Sequence, residues 1–219
     1  MTEHDPGKLA IAGRADAVAR TTAATPFERL SALCAILAAA VGLLYAVAFI
    51  VLRNSLLSGL ALMLGGLLTT AVMVALYERL RQADPAFALW ALLLGTVGTL
   101  GTALHGGYDL ANALQPPDVL PSLPSEVDPR GLSTFGLTGL AIVAIAWLIG
   151  RSGQFPRGLG YLGYLLAILT FTLYLGRLIV LDPANPAIAV PALLTGFVVN
   201  PAWYAWLGVV LWRGPGDQS

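Results

Sequence analysis

The polar residues of this chain are gathered into short intervals, and between these intervals lie six long apolar runs that hold almost no charge. Crossing a hydrocarbon core of about 30 Å takes roughly 20 helical residues, because irregular backbone leaves its amide groups unpaired in lipid. The runs have this length, so we predict an all-α, polytopic integral membrane protein built as a six-helix transmembrane bundle. The predicted spans are residues 30–52, 54–77, 85–112, 131–150, 158–181 and 187–212.

The segments outside the spans define the domain organisation. Residues 1–26 are polar and are predicted to form a mobile cytoplasmic tail, residues 27–213 form the transmembrane domain, and residues 214–219 form a C-terminal tail. The longest connection, residues 113–130, contains five prolines and is predicted to be an ordered but non-helical loop. It divides the spans three and three, which leaves open an arrangement of two inverted halves.

The amino-acid composition supports a membrane location. Hydrophobic residues make up 57% of the 219 residues, charged residues make up 11%, and the mean hydropathy is +0.77. About a quarter of the residues of a soluble domain are charged, so lipid has to cover the excess apolar surface. The formal net charge is zero, which argues against a nucleic-acid partner. The polar leader is too long for a secretory signal peptide, so we expect the first helix to be retained.

The distribution of basic residues predicts the orientation. Cytoplasmic loops of membrane proteins carry an excess of lysine and arginine. With both termini inside, only three of the twelve basic residues, Arg53, Arg130 and Arg177, lie on the outer side. We therefore predict that the N-terminus and the C-terminus are cytoplasmic. The aromatic residues near the proposed inner interface agree with this orientation: Tyr77, Phe87, Trp90, Trp147, Tyr161, Tyr164 and Trp212.

The scarcity of certain residue types excludes several membrane chemistries. The only lysine, Lys8, lies in the tail, so a retinal Schiff base inside the bundle is excluded. The single cysteine, Cys34, cannot form an intrachain disulfide, which excludes paired-cysteine redox chemistry. Of the two histidines, only His105 lies in a predicted span, so a haem held by two intramembrane imidazoles is not available. We therefore predict no catalytic residue, no metal and no cofactor.

The most distinctive polar cluster lies at the end of the third span. His105, Tyr108, Asp109 and Asn112 stand at positions i, i+3, i+4 and i+7, so they share one face if the helix continues. Arg177 in the fifth span lies at a similar outer depth, where a charge is costly unless it finds water or a partner. We hypothesise that Asp109 and Arg177 form an ion pair that lines an outward-facing cavity.

Two interpretations of this cluster stay open. In the functional one, the cluster binds a polar or anionic group, or relays protons through the imidazole of His105. In the structural one, the same residues cap helix ends and hold two helix rims together. The dipeptide Asn200–Pro201, about halfway along the last span, adds a predicted kink or break that frees carbonyl groups near the bilayer centre. Discontinuous helices often line transporter sites.

Small residues recur within the spans. Gly65 and Gly66 precede Thr69 and Thr70 in the second span, and glycines alternate with threonines through residues 95–102 of the third span. The hydrophobic effect does not drive helices together in lipid, so their association depends on close packing. Small residues allow the backbones to approach closely. They predict a compact bundle.

The C-terminal half carries a resemblance to a known family. The run FPRGLGYLG at residues 155–163, which follows a short turn with an arginine, and a last span ending in Trp212 and Arg213 resemble bacterial six-span membrane proteins of a domain-of-unknown-function family. The resemblance covers residues 131–213. It implies the bacterial cytoplasmic (inner) membrane as location and implies no activity.

These observations favour a non-enzymatic membrane protein that binds or transports a small polar or amphiphilic molecule in an outward-facing pocket. A second interpretation is a structural or accessory subunit, in which the partner is another copy of the chain or a larger membrane complex. A third is an intramembrane enzyme with His105 as base and Asp109 as its orienting partner. The candidate ligand-binding residues are His105, Tyr108, Asp109, Asn112, Arg177 and Asn200.

Overall fold

The computed structural model of the protein describes residues 24–115, 131–180 and 185–214. Every regular element in these ranges is helical, and six helices are long and apolar enough to cross a membrane. The predicted all-α six-helix transmembrane fold is therefore confirmed. Residues 113 and 114, predicted to belong to the proline-rich loop, are instead the last residues of the third helix. The loop from residue 116 onward and nearly all of both predicted tails lie outside the described residues. The helices are α1 Pro26–Val51, α2 Ser55–Leu80, α3 Pro85–Leu114, α4 Leu132–Ser152, α5 Arg157–Ile179 and α6 Pro186–Arg213.

Side-chain caps set the starts of four helices. Thr25 and Glu28 form a capping box, in which the Glu28 N–H donates to Thr25 Oγ1 at 3.1 Å and the Thr25 N–H donates to Glu28 Oε2 at 2.7 Å. Because of this cap, α1 begins at Pro26 rather than at residue 30, where the uncharged run begins. Similar caps, in which a side-chain oxygen accepts a backbone N–H of the first turn, are formed by Asn54 for α2, Asp84 for α3 and Asn185 for α6.

The six helices form a closed ring. Each helix packs antiparallel against the next one in sequence, and α6 returns to pack against α1. The pairing of α1 with α6 is close, because Gly196 lies against Ala46 near one end and Gly208 lies against Ala32 near the other. The ring therefore has an interior that all six helices can reach.

The two ends of the ring differ in how they are filled. We call the end where α2 meets α3, and α4 meets α5, the Arg79 end, and the end where α1 meets α2 the Arg53 end. Large side chains that are fully buried fill the interior toward the Arg79 end: Trp203, Leu76, Leu80, Leu148, Ile149, Leu159, Leu207 and Leu211. The interior toward the Arg53 end is hollow.

The outer surface of the ring is apolar. Leu104, Ile168 and Ile179 are 75%, 62% and 76% exposed, and many other leucines and valines are exposed in the same way. An apolar belt of this size is not stable in water. Such a belt is suited to contact with lipid chains. The helices can lie in lipid because their backbone hydrogen bonds are satisfied internally.

Candidate functional site

The hollow part of the ring is a chamber of about 710 Å³. All six helices contribute to its wall, and most of the wall is apolar. Ligand sites in proteins are usually concave, mostly apolar and of this size, with a few polar groups that fix orientation. One wall residue from each helix in turn is Tyr45, Leu62, Thr102, Phe135, Leu173 and Asn200.

Three π-helical segments border the chamber. They are Val47–Val51 in α1, Leu132–Leu137 in α4 and Thr195–Val199 in α6. Each segment contributes wall residues, for example Phe49, Thr134 and Thr195. A π-helical turn bonds residue i to i+5 and is found mostly as a short insertion at functional sites. All π-helical segments in the described part of the chain thus lie at the chamber.

The predicted irregularity near Asn200 is one of these segments. The Asn200 N–H donates to the carbonyl of Thr195, five residues earlier, and Pro201 follows directly. Proline has no N–H to donate. The helix nevertheless continues through Pro201, because the residue before it closes a wider turn. The side chain of Asn200 lines the chamber opposite Gly42. A Cβ on Gly42 would lie 2.8 Å from Asn200 Nδ2, so glycine is what leaves space for the amide.

The predicted polar stripe lies beside the chamber. His105 Nε2 is 3.4 Å from Asp109 Oδ2, as the i, i+4 spacing on one helix face predicts. On its other side, His105 Nδ1 is 3.2 Å from Thr134 Oγ1 of α4, and Thr134 lines the chamber. A chain of three polar groups therefore runs from the half-buried Asp109 to the chamber wall. Such a chain can pass a proton between a hydroxyl and an imidazole.

Two other predicted residues, Tyr108 and Asn112, are not among the residues that line the chamber. Tyr108 is 41% exposed, and Asn112 is half-buried. Of the six candidates, Asn200 lines the chamber and His105 is one hydrogen bond from it. The side chain of Arg177 lies outside what the structure describes, so the hypothesised ion pair with Asp109 stays a prediction.

A further residue at the chamber, Arg53, lies at its rim in the short connection between α1 and α2. Its φ is 51°, in the left-handed region that residues other than glycine seldom adopt. The turn is held by the Asn54 N–H, which donates to the Ala48 carbonyl at 2.9 Å. Within the described ranges, the Arg53 guanidinium forms no ion pair. The charge is therefore available at the rim of the chamber.

A buried ion pair fixes the opposite end of the ring. Arg79 Nε donates to Glu28 Oε1 at 2.7 Å, and the Arg79 side chain is only 3% exposed. The same guanidinium donates to the Leu211 carbonyl at 3.2 Å and to the Val210 carbonyl at 3.5 Å, and it lies over the ring of Phe155 at 5.6 Å. It therefore joins α1, α2, α6 and the α4–α5 turn, which closes the ring below the chamber.

Sequence reasoning missed this ion pair and the role of Thr134. The count of basic residues predicts only that Arg79 is one of the nine on the inner side. The available signal was Glu28, an acidic residue at the start of a span. For the chamber, the signal was the spacing of threonines, such as Thr99 with Thr102 and Thr134 with Thr138, in otherwise apolar helices.

The arrangement defines a class: a six-span helical ring with a chamber toward the Arg53 end and a packed, ion-paired Arg79 end. No family model matches the chain, and no curated protein or solved structure matches it either. The resemblance of residues 131–213 to a bacterial domain-of-unknown-function family therefore stays a prediction. Among residues 24–115, 131–180 and 185–214, no three His, Cys, Asp or Glu side chains are placed to hold a metal ion.

Proposed function

We propose that the protein binds a small amphiphilic molecule in the chamber without changing it chemically. The observation that carries this proposal is the chamber itself, because its wall is built by all six helices and not by a single gap between two of them. Random packing defects in protein interiors are few and seldom much larger than a water molecule, whereas 710 Å³ is within the range of ligand sites.

The chemistry of the wall supports an amphiphile. Residues such as Leu62, Ile142 and Leu173 suit a hydrocarbon part, while threonine hydroxyls and the amide of Asn200 suit a small polar group. Arg53 at the rim can meet a polar or anionic end that stays near the membrane surface. Transport across the membrane would also require the Arg79 end to open, and the ion pair of Glu28 with Arg79 closes that end.

We further propose that the chain lies in a bacterial cytoplasmic membrane with the chamber facing outward. The excess of basic residues at the Arg79 end supports this orientation. We expect Arg53→Cys, on a Cys34→Ala background, to react with a membrane-impermeant maleimide added to intact cells. The matched variant Ala83→Cys, in the exposed α2–α3 connection, should react only after the cells are permeabilised. The reverse pattern would show that the chamber faces inward.

Filling the chamber is the direct test of binding. A Cβ on Gly65 would meet only Val41 Cγ1, at an ordinary 3.8 Å, so a larger side chain there can enter the chamber without a clash at its base. We expect Gly65→Leu to weaken the saturable binding of a pyrene-labelled long-chain alcohol by roughly tenfold or more. Thermal stability should be unchanged or slightly raised, since glycine is a poor helix former. Fluorescence titration in detergent micelles gives the affinity.

The control for this test is Gly150→Leu, because a Cβ on Gly150 would have no atom within 4 Å and this residue lies at the Arg79 end. Its affinity should equal that of the wild type. Absence of saturable binding to the wild-type chain would refute the proposal and favour the structural or accessory subunit. Chemical change of the bound amphiphile that is lost in His105→Ala would instead favour the enzyme, with Thr134 and Asp109 as partners of His105.

A further inference from the structure

Most threonine hydroxyls of the chamber wall donate their only proton to a backbone carbonyl. A hydroxyl has one donor and two acceptor positions, and in a helix it can donate to a carbonyl three or four residues earlier. Five chamber threonines donate to a backbone carbonyl of their own helix at distances of 2.7 to 3.5 Å. They are Thr69, Thr99, Thr102, Thr138 and Thr170. For Thr138 the carbonyl is that of Ser133, five residues earlier.

The histidine beside the chamber engages a sixth hydroxyl. Asp109 lies next to His105 Nε2, which favours the tautomer with the proton on Nε2. In that tautomer of the neutral ring Nδ1 is an acceptor, and the Thr134 hydroxyl donates to it across 3.2 Å. The oxygen of Thr134 therefore also offers only lone pairs to the chamber.

The charges and the remaining polar groups of the wall restrict the chemical class of the ligand further. The residues that line the chamber in the described part of the chain include no aspartate or glutamate, and Arg53 lies at the rim. A cation is therefore disfavoured. Among the described residues, the side-chain amide of Asn200 also lines the wall. This amide can donate to a ligand oxygen.

We propose that the chamber selects amphiphiles whose polar group is a free hydroxyl over the same molecules with an acceptor alone. A hydroxyl can donate to the lone pair of a threonine oxygen and accept from the Asn200 amide. An ether can only accept, so it forms one hydrogen bond fewer in the chamber. The inference rests on the proposed function, since it assigns the substrate class of the same site.

The test compares a pyrene-labelled long-chain alcohol with its methyl ether in detergent micelles. We expect the wild-type chain to bind the alcohol about tenfold more tightly, which is the effect of one hydrogen bond. In the double variant Thr102→Val, Thr138→Val, the preference should fall toward unity while the affinity for the ether is retained. Retained ether binding shows that the variant is folded. The matched control is Thr172→Val, because Thr172 donates to the Ile168 carbonyl in the same way but does not line the chamber.

Different failures separate the two proposals. Equal affinity of the wild-type chain for the alcohol and the ether would overturn the hydroxyl preference and leave the proposed function standing. A preference that survives in Thr102→Val, Thr138→Val and in the corresponding variants of the other four threonines would overturn it as well. If neither probe binds saturably, the proposed function itself fails.

Discussion

The Arg79→Met variant is expected to lose about 3–5 kcal/mol of its free energy of unfolding. Methionine keeps much of the apolar stem but removes the guanidinium, so Glu28 is left as a buried carboxylate without its partner. Removing one member of a buried ion pair costs this much because the remaining charge stays in a medium of low polarity. The carbonyls of Val210 and Leu211 also lose a charged donor. The free energy can be measured by far-UV circular dichroism during titration with sodium dodecyl sulfate.

The chain offers a matched pair for comparison. Arg81 and Glu78 are 3.0 Å apart and about half-exposed, so Arg81→Met should cost less than about 1 kcal/mol. The double variant Glu28→Gln, Arg79→Met should be less destabilised than the sum of its single variants, because the unpaired charge is gone. A loss for Arg79→Met no larger than that for Arg81→Met would show that the buried pair does not hold the Arg79 end together.

The ion pair explains how a ring with a hollow interior stays closed. A helix ring loses packing contacts wherever its interior is empty, so the chamber end contributes less stability than the filled end. From α2, Arg79 reaches α1, α6 and Phe155 at once. It fixes the positions of α1, α2 and α6 at the Arg79 end, and these helices also form much of the chamber wall. The stability of the Arg79 end thus compensates for the packing contacts that the empty chamber at the Arg53 end lacks.

The six spans could be predicted from the sequence because lipid imposes a length on every crossing segment. The start of α1 was predicted four residues late, at 30 rather than 26, because uncharged runs were used to find the spans. Glu28 is charged, yet it belongs to the helix, since its carboxylate accepts from the Thr25 N–H and from Arg79. Counting charges fails where a charge caps or pairs within the membrane protein.

The site could be predicted only as far as local spacing reaches. The contact between His105 and Asp109 follows from the geometry of one helix. The contact between His105 and Thr134 joins residues that are 29 positions apart, and it depends on how α3 packs against α4. The chamber depends in addition on closure of the ring between α1 and α6. Neither packing relation can be predicted from the hydrophobic periodicity of a single helix.

The Gly106→Ala variant is expected to lose about 2–3 kcal/mol and to separate α2 from α3. A Cβ on Gly106 would clash with the backbone nitrogen of Met63 and lie 2.6 Å from the Gly59 carbonyl oxygen. Both contacts are with backbone, which cannot rotate aside as a side chain can, so the helices have to move. Overpacking of this kind typically costs about 1–3 kcal/mol, and the cost of Gly106→Val should be larger. The same titration with sodium dodecyl sulfate measures both variants.

The adjacent residue provides the control for this prediction. A Cβ on Gly107 would meet only Met63 Sδ, at 3.7 Å, which is an ordinary contact with a flexible side chain. Gly107→Ala changes the same residue type in the same helical turn, so its effect on helix propensity matches that of Gly106→Ala. The difference between the two variants isolates the contact between α2 and α3. If both variants unfold at the same detergent concentration, α2 and α3 do not approach as closely as the glycine contacts require.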